Sequence, residues 1–239
     1  MAIPKIINYC WFGYGKKSKM VKRCISSWRK FAPDYKIVEW NENNFDIKIN
    51  KYVKEAYENR KWAFVSDYAR LWIIYNNGGI YFDTDVELIK PIDEEILNYK
   101  GFYCMENDKI ATGLGFGAEK EDKIVKKLLD SYNNINIKFD NETTCVRLNE
   151  PIFESEFKAI NKEKINIQNN YIILPTEYFC PLNYITGEME ITKNTIGIHW
   201  YNASWYTKKE KAGKRIKQIK RKIIGNENFE KIKKIKNRK

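Results

Sequence analysis

Residues 61–85, KWAFVSDYARLWIIYNNGGIYFDTD, restrict the fold more than any other stretch of the chain. Phe64, Val65, Tyr68, Leu71, Trp72 and Tyr75 recur every three or four residues, which predicts a helix over residues 61–77 with one apolar stripe. Gly78-Gly79 supplies its stop. A short apolar strand, residues 80–82, then runs into Asp83-Thr84-Asp85. Carboxylates just past such a strand belong at the carboxyl edge of an open α/β sheet, where these sheets bind ligands.

The preceding segments fit the same sheet. Residues 3–11 are apolar nearly throughout and predict a central strand. Met20, Cys24, Trp28 and Phe31 recur at helical spacing until Pro33, residues 35–40 read as a strand, and residues 52–57 read as a short helix. Strand, helix, strand, helix, helix, strand is the order of a mostly parallel α/β sheet. Further on, strands are expected at 86–89, 102–105, 114–118, 171–174 and 195–200, and helices at 122–132 and 151–160. A glycine-rich turn is expected around Gly113 and Gly115.

The net charge of +12 has to be located before it is interpreted. Residues 207–239 hold 15 Lys and Arg against 3 Asp and Glu, so the 206 residues before them are neutral. This excludes nucleic-acid binding by the whole protein and leaves the tail as the basic element. A catalytic body of residues 1–206 and a basic amphipathic helical tail of residues 207–239 are therefore expected. Apolar residues at 43% and aromatics at 15% exclude disorder for most of the chain. No apolar run reaches the roughly 18–20 residues that span a bilayer. The start, MAIPKIINYCWFG, lacks the pattern of a signal peptide. Five widely spaced cysteines without CxxC fit reduced thiols in a cytoplasmic protein.

Asp83 and Asp85 offer hard oxygen donors to a divalent cation that could bridge a diphosphate. The plainer reading is a strand-end turn with solvated carboxylates. On the preceding helix, Ser66 and Arg70 share a face beside Asp67. They could grip a phosphorylated, hydroxyl-rich ligand, or Asp67 and Arg70 could form a surface pair worth a few tenths of a kcal/mol. The single histidine, His199, opens HWYNASW, where Asn202 and Ser204 add oxygen donors and Trp205 could cover a sugar. HExxH, Walker A and GxGxxG motifs are absent.

IPKIINYCWFG, WAFVSDYARLWIIYNNGGIYFDTDVEL and IGIHWYNASW together resemble glycosyltransferase family 32, with a similar middle pattern in large clostridial glucosylating toxins. The resemblance covers roughly residues 3–205. It implies a GT-A (Rossmann-like) fold and retaining transfer of a hexose or N-acetylhexosamine from a nucleotide sugar. UDP-sugars are favoured and GDP-sugars possible, and Mn2+ or Mg2+ is the expected cofactor. By position, Asp83 and Asp85 match the metal and diphosphate motif, and His199 a further metal ligand. Asp67 and Arg70 match groups on the sugar hydroxyls, Ser66 a donor-binding position, and Tyr81 an aromatic near ribose or phosphate. Trp11 matches the aromatic that stacks on the base, and Asn202, Ser204 and Trp205 the segment that closes over the pyrophosphate. Asn8 departs from the pattern, since many bacterial members have His there.

The expected acceptor is a glycan or lipid-linked oligosaccharide in surface-polysaccharide synthesis. In the tail, Ile216, Ile219 and Ile223, then Phe229, Ile232 and Ile235, recur between basic residues, with Gly225 separating two helices. This suits an anionic membrane surface, and hence a peripheral place on the inner face of the cell membrane. The other reading docks the isoleucines on the protein's own body or a partner subunit. Two different functions compete with glycosyl transfer: a sugar nucleotidyltransferase, and a basic-tailed membrane or RNA adaptor in which the aspartates are structural.

Overall fold

The computed structural model describes residues 3–133, 135, 144–202, 208–225 and 228–229. The first strand, β1 (Ile6–Cys10), lies between two parallel neighbours, β2 (Lys36–Trp40) and β3 (Gly79–Tyr81). Helix α1 (Lys19–Phe31) connects β1 to β2, and α2 (Lys51–Glu58) with α3 (Trp62–Asn77) connects β2 to β3. The chain thus steps to one side of β1 and then to the other. That reversal opens a crevice at the carboxyl ends of β1 and β3.

Beyond β3 the sheet continues through β7 (Phe116–Ala118), β5 (Gly101–Glu106), β9 (Tyr171–Leu174) and β8 (Asn166–Gln168), with β6 (Lys109–Ile110) hanging from β5. β7 is antiparallel to both β3 and β5, and β9 is parallel to β5. Hence β1, β2, β3, β5 and β9 all point one way, while β7 and β8 oppose them. The expectation of a mostly parallel α/β sheet holds.

Both faces of the central strands are buried, in strict alternation. Ile80, Phe102, Cys104, Ile172 and Leu174 enter one core with α1. Tyr81, Tyr103, Met105, Tyr171 and Ile173 enter the other with α2, α3, α4 (Lys123–Asp130) and α5 (Cys145–Glu156). Gly79 allows the close approach of β3 to β1: its φ is +100°, and a Cβ there would lie 2.7 Å from the Ile6 carbonyl oxygen.

Two sequence expectations shift. α5 begins at Cys145, six residues before the expected start, and Pro151 lies inside it. The expected strand after Asp85 is β4 (Val86–Leu88), but it leaves the main sheet and pairs antiparallel with β10 (Gly197–His199). The other edge of β4 meets side chains of α1. Trp28 Nε1 donates to the Val86 carbonyl at 2.8 Å, and the Leu88 amide donates to Ser27 Oγ at 2.9 Å. Both α1 residues are buried.

The last named helix, α6 (Lys208–Ile224), ends at Gly225 with φ +81°. No described helix is long and apolar enough to cross a membrane. All five cysteines are free.

Because Trp28 closes the edge of the strand that follows Asp85, Trp28→Phe leaves a buried carbonyl without its donor. It should lower folding stability by about 1–3 kcal/mol, measured by urea denaturation. An unchanged midpoint would show that the indole bond carries nothing.

Candidate active site

Asp83 leaves β3 on the same face as Tyr81, toward α3. Its backbone amide donates to the Gly113 carbonyl at 3.0 Å, and its carbonyl accepts from the Val86 amide at 3.0 Å, so the aspartate turn is fixed at both ends. Arg70 approaches from α3. Its Nη2 lies 3.1 Å from Asp83 Oδ1 and 3.0 Å from Asp67 Oδ1. Tyr81 OH donates to Asp83 Oδ1 at 2.9 Å, and the guanidinium lies 5.0 Å from the Tyr81 ring centre.

This is no surface pair. The Arg70 side chain is 3% exposed and that of Asp67 11%. A buried guanidinium requires compensating charge, and removing one partner of such a group typically costs about 3–5 kcal/mol. The reading of Asp67 and Arg70 as a solvated pair is corrected accordingly. So is the reading of Asp83-Thr84-Asp85 as a solvated turn.

Asp85 is held from the other side. In the β4–β10 ladder His199 stands opposite Val86, which carries the imidazole to the carboxylate across 114 residues of sequence. His199 Nε2 lies 3.4 Å from Asp85 Oδ1, and the Asn202 backbone amide donates to Asp85 Oδ2 at 2.7 Å. The Trp200 amide donates to the Asp85 carbonyl at 2.9 Å. His199 and Asn202 are therefore brought to Asp85, Asn202 through its main chain. Ser204 and Trp205 lie outside the described residues.

The two carboxylates differ electrostatically. Burial pushes the Asp83 carboxyl up to about 6 against the pull of Arg70, and the Asp85 charge adds to the push. Burial also opposes the Asp85 charge, but His199 and the Asn202 amide outweigh it and bring that carboxyl below its ordinary value. Burial likewise disfavours the His199 imidazolium, and Asp85 reverses the balance, raising the ring well above the usual histidine value.

These donors fit a hard divalent cation. Two carboxylates close enough to repel one another retain partial exposure, 29% for Asp83 and 15% for Asp85. The His199 Nε2 is occupied with Asp85, and Nδ1 is buried without a hydrogen-bond partner among the described residues. Among those residues no group of three or more His, Cys, Asp or Glu side chains is arranged to hold a metal. A cation here would be held chiefly by carboxylates, with His199 supporting Asp85.

Three further residues are engaged within the fold. Tyr81 is 1% exposed, so it offers no surface to a ribose and instead braces Asp83. Asn8 is fully buried: Nδ2 donates to the Ile80 carbonyl at 3.2 Å, and Oδ1 accepts from Trp40 Nε1 at 2.9 Å. It braces the sheet, not a ligand. Ser66 Oγ donates back to the Trp62 carbonyl at 3.0 Å while remaining half-buried.

Trp11 follows β1 at the crevice, half-buried, with Nε1 donating to the Gly15 carbonyl at 2.7 Å and Lys17 Nζ 5.3 Å from its ring centre. Beyond it, Gly13, Tyr14, Tyr57, Glu58, Arg60 and Trp62 line a cleft of about 640 Å³.

Two supports of Arg70 and Asp83 carry no motif. Arg70 Nη1 lies 3.6 Å from Cys145 Sγ, at the start of α5. At Gly113 a Cβ would lie 2.5 Å from Asp83 Oδ2 and 2.9 Å from Arg70 Nη1. The glycine-rich turn was visible in the sequence, but its contact with the ion pair was not.

Residues 18–103 match the family model described as "Glycosyltransferase sugar-binding region containing DXD motif", which takes in Asp67, Arg70, Asp83 and Asp85. Among solved structures the chain is similar to the PaToxG glycosyltransferase, at 19% identity over 68% of this chain and 72% of that one, with a TM-score of 0.54. It also aligns with a glycosyltransferase involved in the glycosylation of the major capsid of PBCV-1, at 16% identity over 83% and 95% of the two chains, with a TM-score of 0.49. No protein of curated function matches it. The matched region makes this chain a glycosyltransferase, and the likeness to the first of these structures shows its GT-A fold.

Gly113→Ala tests the packing behind the ion pair. The added methyl must move Asp83 or Arg70, so sugar transfer or donor hydrolysis should fall at least about tenfold, about 1.4 kcal/mol in the barrier, while the far-ultraviolet circular dichroism spectrum stays unchanged. Wild-type turnover in the folded variant would mean that Asp83 need not hold its present position.

Proposed function

We propose that this glycosyltransferase is a member of family 32 that binds a nucleotide sugar across the crevice of β1 and β3 and transfers the sugar with retention of configuration. The observation that carries this reading is the convergence of Asp67, Arg70 and Asp83 beside Asp85, at the sheet's point of reversal and inside the matched region.

In this reading Asp83 and Asp85 hold Mn2+ or Mg2+, supported by His199. When bound, the cation neutralises the diphosphate leaving group, the main electrostatic demand of breaking a glycosyl–phosphate bond. Asp67 and Arg70 orient the sugar hydroxyls, Trp11 and the cleft beside it receive the base, and Ser66 borders the donor. Asn202, Ser204 and Trp205 close the site over the pyrophosphate. A UDP-sugar is the favoured donor, with a GDP-sugar as the alternative.

Retention through a covalent intermediate would need a carboxylate free to attack. Asp67 and Asp83 both face Arg70, and Asp85 faces His199 and the Asn202 amide. This supports a same-face substitution through an oxocarbenium-like transition state, in which a donor phosphate oxygen takes the acceptor's proton.

The body, residues 1–206, then carries the chemistry, and the tail, residues 207–239, holds the enzyme on the anionic inner face of the cell membrane. Membrane residence suits a lipid-linked acceptor in surface-polysaccharide synthesis. The exposed isoleucines of α6 support this over packing of the stripe on the body.

The experiment incubates the purified chain with Mn2+ and a set of UDP- and GDP-sugars. Release of nucleoside diphosphate that stops on chelation with EDTA is the expected result, and Asp85→Asn should reduce it at least about a hundredfold, in the range of lost electrostatic stabilisation, while the far-ultraviolet circular dichroism spectrum stays that of the folded protein. Release of pyrophosphate would replace the reading with a nucleotidyltransferase. Neither product from any donor would favour an adaptor.

A further inference from the structure

We infer that Tyr201 is a positioning residue of the candidate site: its ring holds His199 and the Asn202 amide on Asp85. The inference rests on the reading of Asp83 and Asp85 as a cation site, and it adds a residue to which the sequence pattern gives no role.

The backbone of Tyr201 is left-handed, with φ +49°. Bulky side chains seldom adopt that conformation, whereas Gly and Asn enter it readily. A tyrosine persists there when the contacts of its side chain offset the strain. Those contacts are specific. The ring centre lies 4.2 Å from that of His199, with the planes inclined by 40°, and 4.8 Å from that of Tyr184. The hydroxyl lies 2.9 Å from Sγ of Cys180, which is buried. Tyr201 is thereby anchored to residues 180–184, outside the β4–β10 ladder.

The ladder alone does not place the groups that meet Asp85. Its last register pair is His199 with Val86. The His199 amide donates to the Phe179 carbonyl at 3.0 Å, and the Trp200 amide to the Asp85 carbonyl at 2.9 Å. Trp200 is pinned separately: its Nε1 donates to Glu87 Oε2 at 2.7 Å, and the Arg23 guanidinium lies 4.8 Å from its ring centre. Beyond Trp200, the left-handed turn at Tyr201 sends the next amide, that of Asn202, back to Asp85 Oδ2 at 2.7 Å. The side chain of the same residue packs on the imidazole whose Nε2 lies 3.4 Å from Asp85 Oδ1. Each oxygen of the Asp85 carboxylate is therefore met by a group that Tyr201 holds: Oδ1 through the packing of two rings, Oδ2 through the turn of the chain.

Groups that orient a metal-binding carboxylate from behind typically change metal affinity by about 10–100-fold. Tyr201 stands one step behind His199 and Asn202 and acts through them, without touching donor or cation.

The test compares Tyr201→Asn, which accepts the left-handed turn and lacks the ring, with Tyr201→Phe, which keeps the ring. Melting curves check that both fold. The first readout is hydrogen exchange of backbone amides in the full chain without ligand. The Asn202 amide should exchange at least about tenfold faster in Tyr201→Asn and at the wild-type rate in Tyr201→Phe, while the His199 amide stays protected in both. The second readout is calorimetric titration of UDP and GDP with and without Mn2+. Affinity with Mn2+ should fall at least about tenfold in Tyr201→Asn, while the metal-free affinity stays at its wild-type value. Tyr201→Phe should match the wild type in both. Wild-type exchange at Asn202 in folded Tyr201→Asn would overturn the inference, and so would equal losses of affinity with and without Mn2+. Losses of the same size in Tyr201→Phe would move the role to the hydroxyl and overturn its assignment to the ring. A wild-type chain whose nucleotide affinity ignores Mn2+ would overturn the cation reading itself, and with it the place of Tyr201 in the site, whatever the exchange shows.

Discussion

The Arg70 guanidinium is almost completely out of water, and a charge so placed must be neutralised by neighbouring groups. Asp67, one helical turn earlier on α3, supplies one carboxylate, and Asp83, just past β3, supplies the other. The pairing fixes the helix against the strand end and sets the side-chain position of the first aspartate of the motif. Tyr81, Gly113 and Cys145 fit around it, each by a contact with Arg70 or Asp83. The same network leaves Asp83 hard to ionise despite the adjacent cation, because burial and the charge of Asp85 act against it. A site in that condition favours any ligand that brings positive charge between the two aspartates.

Asp85 depends on a different part of the chain. Strand β4 would be an unpaired fragment if β10 did not return beside it and α1 did not close its other edge through Trp28 and Ser27. One small antiparallel ladder therefore places His199 and the Asn202 amide on Asp85. The two carboxylates, two residues apart in sequence, are positioned by independent supports: a helix–strand ion pair and a two-stranded ladder.

How much of this was legible in the sequence follows from the range of the forces involved. The helix at residues 61–77, its glycine stop and the aspartate turn are local features, and periodicity and turn chemistry predict them to within a residue or two. Asp67, Arg70, Asp83, Asp85 and His199 were all singled out, but their burial was not visible, because nothing in SDYAR distinguishes a buried guanidinium from a surface one. Tyr81 was read as ligand-facing and is consumed by the sheet, which depends on strand parity; Asn8, read only as a departure from the family pattern, is buried and hydrogen-bonded to Trp40 of the neighbouring strand. Gly113 showed only as part of a turn and Cys145 had no signal of its own, since their roles exist only through long-range contacts. The departure of β4 from the main sheet had none either: an apolar run reads the same whichever strand it pairs with.

The central claim is that the two aspartates form a cation-dependent diphosphate site, with Asp83 fixed by Arg70. Its most direct measurement is calorimetric titration of UDP and GDP into the full chain, with and without Mn2+. Coupling predicts that one nucleotide binds at least about tenfold more tightly with the cation, about 1.4 kcal/mol. Equal affinity with and without Mn2+, for a nucleotide that does bind, would contradict it.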